Sequence, residues 1–244
     1  MKSTILSVKL VNEELSTLSE SIYDIVILGA GSGGYATALR AAQLGMKVAL
    51  IDGDKVGGTC LHRGCIPTKA YLHAAETAEA VRESTKFGVN STFNGIDMAQ
   101  VGAYRDSVIS GLYKGLRGLL KSRKVELISG WGHLADANTI EVGGQRITGR
   151  NIVLATGSYS RSIPGLDIGG RIISSDQALQ MNWVPSSVVI LGGGVIGLEF
   201  ASVWRSFGAE VTIIEALPHL ANNEDEAISK QLERAYRKRG IKFH

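Results

Sequence analysis

Short, unbroken apolar runs closed by glycine clusters are the first pattern along this chain. Residues 25–28 (IVIL) and 188–191 (VVIL) are two such runs. A run this short, without polar alternation, predicts a strand covered on both faces, the habit of parallel sheets. Each passes through its glycines into a helically spaced stretch ending near Gly45 or Gly208, where a glycine just past a helix end fits. A second apolar run follows in each case, at 48–51 and 211–214. From about Pro67 onward, Ala70, Ala74, Ala75 and Ala78 predict a helix, with proline tolerated in its first turn. A longer helix is expected over 97–124. Short strands are expected over 125–155, broken by turn signals at 136–138 (DAN) and 143–144 (GG). The last of these strands, 151–155, should be buried and turn off through Thr156, Gly157 and Ser158. A final helix at 224–239 and a short run at 241–244 complete the pattern.

The two strand–turn–helix–strand units are copies in register. Gly29, Gly31 and Gly34 correspond to Gly192, Gly194 and Gly197, Gly45 to Gly208, and Asp52 to Glu215. Each pair is separated by 163 residues (29 to 192, 52 to 215). The spacing is G-x-G-x-x-G with an acid about 20 residues on, the dinucleotide-binding fingerprint. The first glycine makes the tight turn, the second admits the pyrophosphate to the backbone, and the third lets helix and strand pack closely. The helix N-terminus then offers free N–H groups and partial positive charge to the diphosphate. Asp52 and Glu215 would accept hydrogen bonds from ribose hydroxyls. With no arginine closely following Glu215, the second site suits NAD rather than NADP.

Composition narrows the class further. Of 244 residues, 44% are hydrophobic and 20% charged, an ordinary globular balance. No run approaches the roughly 20 apolar residues that span a bilayer, so no membrane role is expected. Lys9, Glu13, Glu14 and Glu20 break up the N-terminus, which does not read as a signal peptide. Residues 1–20 are expected to be an extension outside the main fold of a cytoplasmic chain. The net charge of +3 is too small to argue for nucleic acid. The basic end of the 97–124 helix (Lys114, Arg117, Lys121, Arg123, Lys124) lacks interleaved aromatics and suits the helix dipole.

Just after the first unit comes GGTCLHRGCIPTKAYLHAAE, with Cys60 and Cys65 five positions apart. In a regular helix such residues lie roughly 8–9 Å apart, beyond the ~6.8 Å limit of a disulfide. A bridge would need a distorted or non-helical turn, and strained bridges are the reducible ones. Two cysteines make no secreted disulfide framework. The pair is redox-active, metal-binding or inert. Zinc would require two further ligands at suitable spacing, and His62 is one residue.

The segment GGTCLHRGCIPTKA resembles the redox-active stretch of the two-cysteine flavoprotein disulfide reductases, most closely their dihydrolipoamide-oxidising branch. LATGS at 154–158, GLEFASVW around Glu199 and EALPHL at 215–220 match as well, so the resemblance runs from about Tyr23 to His244. It implies an α/β chain of two Rossmann-like folds on parallel sheets. These would be an FAD-binding domain at 21–165 and a truncated, incomplete NAD-binding domain at 166–244. It implies FAD held by Gly29, Gly31, Gly34, Asp52, Gly58, Thr59, Gly132, Thr156, Gly157 and Ser158. NAD would be held by Gly192, Gly194, Ile196, Gly197 and Glu215. Asp52 departs from the glutamate usual in the family at that position.

By the same resemblance Cys60 is the interchange thiol, Cys65 the flavin-side thiol, and Lys69 with Glu199 an ion pair beside the reactive flavin nitrogen. A lysine there stabilises negative charge on the reduced ring, and a glutamate keeps that lysine protonated. Electrons would pass from dihydrolipoamide through Cys60–Cys65 and FAD to NAD⁺. The expected partners are the lipoyl domain of a 2-oxo-acid dehydrogenase complex and a second copy in a full-length homodimer. The family's C-terminal dimerisation domain, which supplies a catalytic base, is not in the sequence, so the chain is expected to be inactive alone. The alternatives are a mercuric, glutathione or mycothiol disulfide reductase, or a non-catalytic FAD/NAD-binding fragment.

Overall fold

The computed structural model describes residues 22–244; the extension expected at 1–20 lies outside them. The described chain forms two compact units. One holds the residues up to Thr59 together with Tyr113–Tyr159, and the other Cys60–Leu112 together with Ser160–His244.

The first unit is built on a six-stranded sheet. Strand β1 (Tyr23–Leu28) lies between β2 (Val48–Asp52) and β6 (Gln145–Leu154), both parallel to it, and β3 (Glu126–Ser129) extends the parallel set beyond β2. Helix α1 (Ser32–Gln43) joins β1 to β2. Successive side chains of a strand point to opposite faces, and both faces of β1 and β2 are apolar. Ile25, Ile27, Val48 and Leu50 pack with Ala38 and Ala41 of α1. Val26, Leu28, Ala49 and Ile51 pack with Ile140 and Val142.

That second face explains a departure from the expected parallel sheet, which is in fact mixed. Strands β4 (Gly132–Asp136) and β5 (Thr139–Val142) form an antiparallel meander with the first half of β6. The meander supplies Ile140 and Val142, the cover a crossover helix provides elsewhere. Gly143 and Gly144 make its second turn at φ 57° and 79°, the left-handed pair that two-residue hairpins require. Gly149 sits where β6 passes from antiparallel to parallel pairing, and a Cβ there would lie 2.7 Å from Val26 Cγ2. Leu154, expected in a buried strand, is 59% exposed.

In the second unit, helix α2 (Gly58–His62), which begins in the first unit, is followed by α3 (Cys65–Glu83). Helix α4 (Met98–Ser122) contributes residues to both units, and α5 (Ser175–Ala178) is a single turn. A parallel sheet in the order β7 (Ser187–Leu191), β8 (Glu210–Ile214), β9 (Lys242–Phe243) follows, with α6 (Val195–Phe207) between β7 and β8 and α7 (Glu226–Lys238) before β9. Its core joins α6 (Leu198, Trp204, Phe207), β8 (Val211, Ile213) and α3 (Tyr71, Ala75). Strand β7, expected to be buried on both faces, pairs on one side only among the described residues. Val189 is 67% and Leu191 53% exposed.

Candidate functional site

The first glycine cluster gathers at the carboxyl ends of β1, β2 and β6. Gly29 has φ +101°, and a Cβ on it would lie 2.1 Å from the Ala155 carbonyl oxygen. A Cβ on Gly34 would lie 1.7 Å from the Gly29 oxygen, the close helix–turn packing expected of the third glycine. Gly31 is the N-cap of α1; no side chain caps this end, and its first turn carries no acid. Its N–H groups and partial positive charge are left for an anion. Gly58, at φ +57°, brings its backbone against Gly31, where a Cβ would lie 2.6 Å from Gly31 Cα. Thr59 is exposed beside it. Thr156, Gly157 and Ser158 leave the end of β6 exposed, and Thr156 Cα is 3.1 Å from the position of a Gly29 Cβ. Gly132 also packs closely on the core: a Cβ there would meet Ile140 and Leu28 side chains, each at 2.9 Å.

The acid at the end of β2 is already engaged by the backbone. Asp52 Oδ2 accepts the Ala30 N–H at 2.5 Å and Oδ1 accepts the Asp54 N–H at 2.8 Å. It thereby ties the glycine turn to the loop after β2. Glu215 repeats this: Oε2 accepts the Gly193 N–H at 2.6 Å and Oε1 the Leu217 N–H at 2.9 Å. An ionised carboxylate has about four lone-pair sites, so both acids retain acceptor capacity for hydroxyls. The shorter Asp52 reaches the same two kinds of donor as Glu215.

In the second cluster Gly192 has φ +105° with nothing within 4 Å of a Cβ, and a Cβ on Gly197 would lie 2.1 Å from the Gly192 oxygen. Gly194 is the N-cap of α6, again without a side-chain cap or a first-turn acid. Ile196 is 61% exposed in that first turn.

The two cysteines meet because the helix between them breaks. Helix α2 ends at His62, and α3 starts afresh at Cys65 after Gly64 (φ −137°, ψ −109°). Both are free thiols, Cys60 half-buried and Cys65 exposed. Their side chains are within hydrogen-bond reach, and the Cys65 backbone N–H, at the start of α3, donates to the Cys60 sulfur. Burial, then the hydrogen bond and charge of Cys65, push the Cys60 thiol up, while that N–H and the Lys69 ammonium pull it down. One turn along α3, Lys69 Nζ donates to Glu199 Oε1 of α6 at 2.5 Å. That bond holds the Lys69 ammonium above its usual range in spite of desolvation. The four residues therefore form one cluster on α2, α3 and α6: a dithiol with a protonated lysine beside it.

One contact at the first cradle was not foreseen. A Cβ on Gly53 would lie 2.4 Å from Trp131 Cδ2, so the indole lies on the Gly53 backbone, next to Asp52, while remaining 83% exposed. A glycine directly after the acid and a tryptophan between Gly130 and Gly132 were the available signals.

Comparison with known proteins agrees with this geometry. Residues 23–244 match the family described as pyridine nucleotide-disulphide oxidoreductase. The chain is 40% identical over 235 residues to the dihydrolipoyl dehydrogenase of Bacillus subtilis, covering 91% of this chain and 50% of that protein. It is 39% identical to the dihydrolipoyl dehydrogenase of Acholeplasma laidlawii, covering 91% and 68%. Among solved structures it resembles the HOCl-induced flavoprotein disulfide reductase RclA from Escherichia coli, with a TM-score of 0.73 at 29% identity over 91% of this chain and 48% of that one. The chain spans about half the length of most curated relatives it matches.

Proposed function

We propose, since the chain belongs to the pyridine nucleotide-disulphide oxidoreductase family, that it carries the dithiol and both nucleotide sites of a dihydrolipoamide-oxidising flavoprotein. The observation that carries this reading is the cluster of Cys60, Cys65, Lys69 and Glu199, two thiols in mutual reach beside a lysine kept protonated by its partner.

The residues fit the two cofactors. The turn at Gly29, the bare amides after Gly31, the Gly31–Gly58 backbone approach and the Asp52 carboxylate suit FAD, with Thr59, Thr156, Gly157 and Ser158 at its edge. Gly192, Gly194, Ile196, Gly197 and Glu215 suit NAD; Glu215 is already anionic and would repel a 2′-phosphate. When bound, FAD supplies the two-electron chemistry that links thiols to hydride transfer.

The protein's own part is thiol exchange and charge control. A lipoyl thiolate attacks Cys60 in the oxidised pair and releases Cys65 as thiolate; the second lipoyl thiolate then displaces Cys60, leaving a lipoyl disulfide and two reduced cysteines. The Cys65 amide and Lys69 lie where they stabilise negative charge on the Cys60 sulfur. Lys69, held cationic by Glu199, balances negative charge near the pair. The reading extends to a lipoyl domain as partner, a full-length homodimer, and a cytoplasmic setting.

The test uses the full-length homodimer that this reading implies, loaded with FAD, because the chain alone lacks the base expected to take protons from dihydrolipoamide. A yellow protein whose flavin absorbance is bleached by dihydrolipoamide, with the response abolished in Cys60→Ser and Cys65→Ser, is the expected result. Bleaching by dithionite but not by dihydrolipoamide, or reduction of oxidised glutathione in place of lipoamide, would overturn the substrate. A folded chain that stays colourless would overturn the FAD site.

A further inference from the structure

Helix α3 presents Cys65 at its first residue and Lys69 one turn on, and its partner helix α6 presents Glu199. The relative sliding of these two helices decides whether Lys69 meets Glu199. The apolar part of their interface is anchored at one point, where the fully buried Tyr71 ring of α3 lies 6.4 Å from the Phe207 ring of α6. On α3 the fully buried contributors are Tyr71 and Ala75, and alanine makes a shallow ridge. Away from that point, polar ties are the elements that specify register in such an interface.

Among the described residues, polar ties between the two helices fall into two groups. The first is Lys69–Glu199 itself. The second lies towards the other end of both helices and is built around Arg239, the residue capping the end of α7. Arg239 Nη2 donates to Glu79 Oε1 of α3 at 2.6 Å and to Ser206 Oγ of α6 at 2.8 Å, while Nη1 donates to Ser202 Oγ of α6 at 2.6 Å. Ser206 Oγ also donates to Glu79 Oε1 at 2.5 Å, and Arg82 Nη1 of α3 donates to the Ser206 carbonyl at 2.5 Å. Burial pushes the Glu79 carboxyl up, yet Ser206 and Arg239 outweigh it and hold it low. Arg239 is itself fixed: its carbonyl accepts Arg205 Nε at 2.7 Å, and the chain after it enters β9 beside β8. Glu79 stands ten residues beyond Lys69, about 15 Å along the axis, too far to touch the thiols.

We propose that Arg239 is a positioning residue: by tying Glu79 of α3 to Ser202 and Ser206 of α6, it sets the register of the two helices and with it the Lys69–Glu199 contact. A single guanidinium fork reaching both helices suits this task in a way a lysine does not, because its donors are held in one plane. The inference rests on reading Lys69 as the charge partner of the cysteines and deepens that reading.

The test measures alkylation of Cys60 by iodoacetamide as a function of pH in the reduced full chain, read by peptide mass spectrometry. Glu199→Gln leaves Lys69 to the thiols and displaces the rate profile. Arg239→Ala is expected to displace it in the same direction, by about threefold in rate at neutral pH, and the double variant no further than Glu199→Gln alone, the signature of coupled sites. Arg239→Lys should fall between wild type and Arg239→Ala. Glu79→Gln should reproduce Arg239→Ala and serves if the latter does not fold. A purely structural Arg239 predicts a lowered melting temperature with an unmoved profile. Profiles of Arg239→Ala and Glu79→Gln that overlay wild type, or effects of Arg239→Ala and Glu199→Gln that multiply, overturn the proposal. Flavin uptake recorded on the same samples separates the two readings: a colourless chain with a displaced profile sinks the FAD site and leaves the register role standing.

Discussion

The two fingerprint copies share their spacing residue for residue, yet they sit in different surroundings. Strand β1 has a parallel neighbour on each side and buries Val26 completely; β7 has a neighbour on one side among the described residues and leaves Val189, its counterpart 163 positions on, 67% exposed. Gly29 is pressed against the Ala155 carbonyl because β6 runs beside it, whereas a Cβ on Gly192 would meet nothing within 4 Å. What does not change is local. Both turns have φ near +100°, both third glycines sit under the first glycine's carbonyl, and both acids hook the same turn amide and the amide two residues on. The fingerprint therefore encodes the turn and its acid, while neighbouring strands decide how much each position costs to change.

The sharpest way to break that symmetry is alanine at the first glycine of each copy. Gly29→Ala adds an overlap with a backbone oxygen to a disfavoured φ, and neither can relax without moving β6. The expected cost exceeds about 4 kcal/mol, seen as loss of amide-exchange protection across β1, β2 and β6. Gly192→Ala carries the φ penalty alone, about 1–3 kcal/mol, with loss confined to β7 and the start of α6. Equal costs would mean that strand neighbours do not set this constraint.

A milder version uses the paired valines. Val26→Ala removes two methyl groups from a closed core, about 2–3 kcal/mol with its cavity, whereas Val189→Ala should fall within about 0.5 kcal/mol of wild type. Urea unfolding with hydrogen exchange to assign each unit distinguishes them. This pair also shows what the chain's pattern could reveal. IVIL and VVIL are indistinguishable as strings, so both read as strands covered on two faces; only pairing, which is non-local, separates them. The fingerprint, the break-prone C-x4-C spacing and Lys69 with Glu199 were legible because their geometry is set by local turns or by likeness to a family. The tie of Arg239 to Glu79 was not, since it joins residues 160 positions apart through no spacing rule. The Trp131 ring on Gly53 was likewise hidden, because a glycine after a strand-end acid reads only as a turn.

The smallest expected effect concerns the acids. The N–H groups of Leu217 and then Gly193 hold the Glu215 carboxyl below its ordinary value of 4.5, against a weaker opposing push from burial. A group whose folded value is depressed stabilises the fold fully above its unfolded value, and that stabilisation disappears as pH falls through the folded value. Glu215 should therefore contribute fully above about pH 4.5 and progressively less in more acid solution. Solvent screening at so open a site keeps the amount below about 1 kcal/mol. Glu215→Gln keeps the length and one acceptor oxygen but lacks the charge, so its stability should fall less steeply than wild type on the acid side. The measurement is urea unfolding of both chains between about pH 3 and pH 6, read at β7 and β8. Parallel curves would mean that the carboxylate's ionisation is not what holds the second turn, and that the likeness between the Asp52 and Glu215 hooks is one of shape alone.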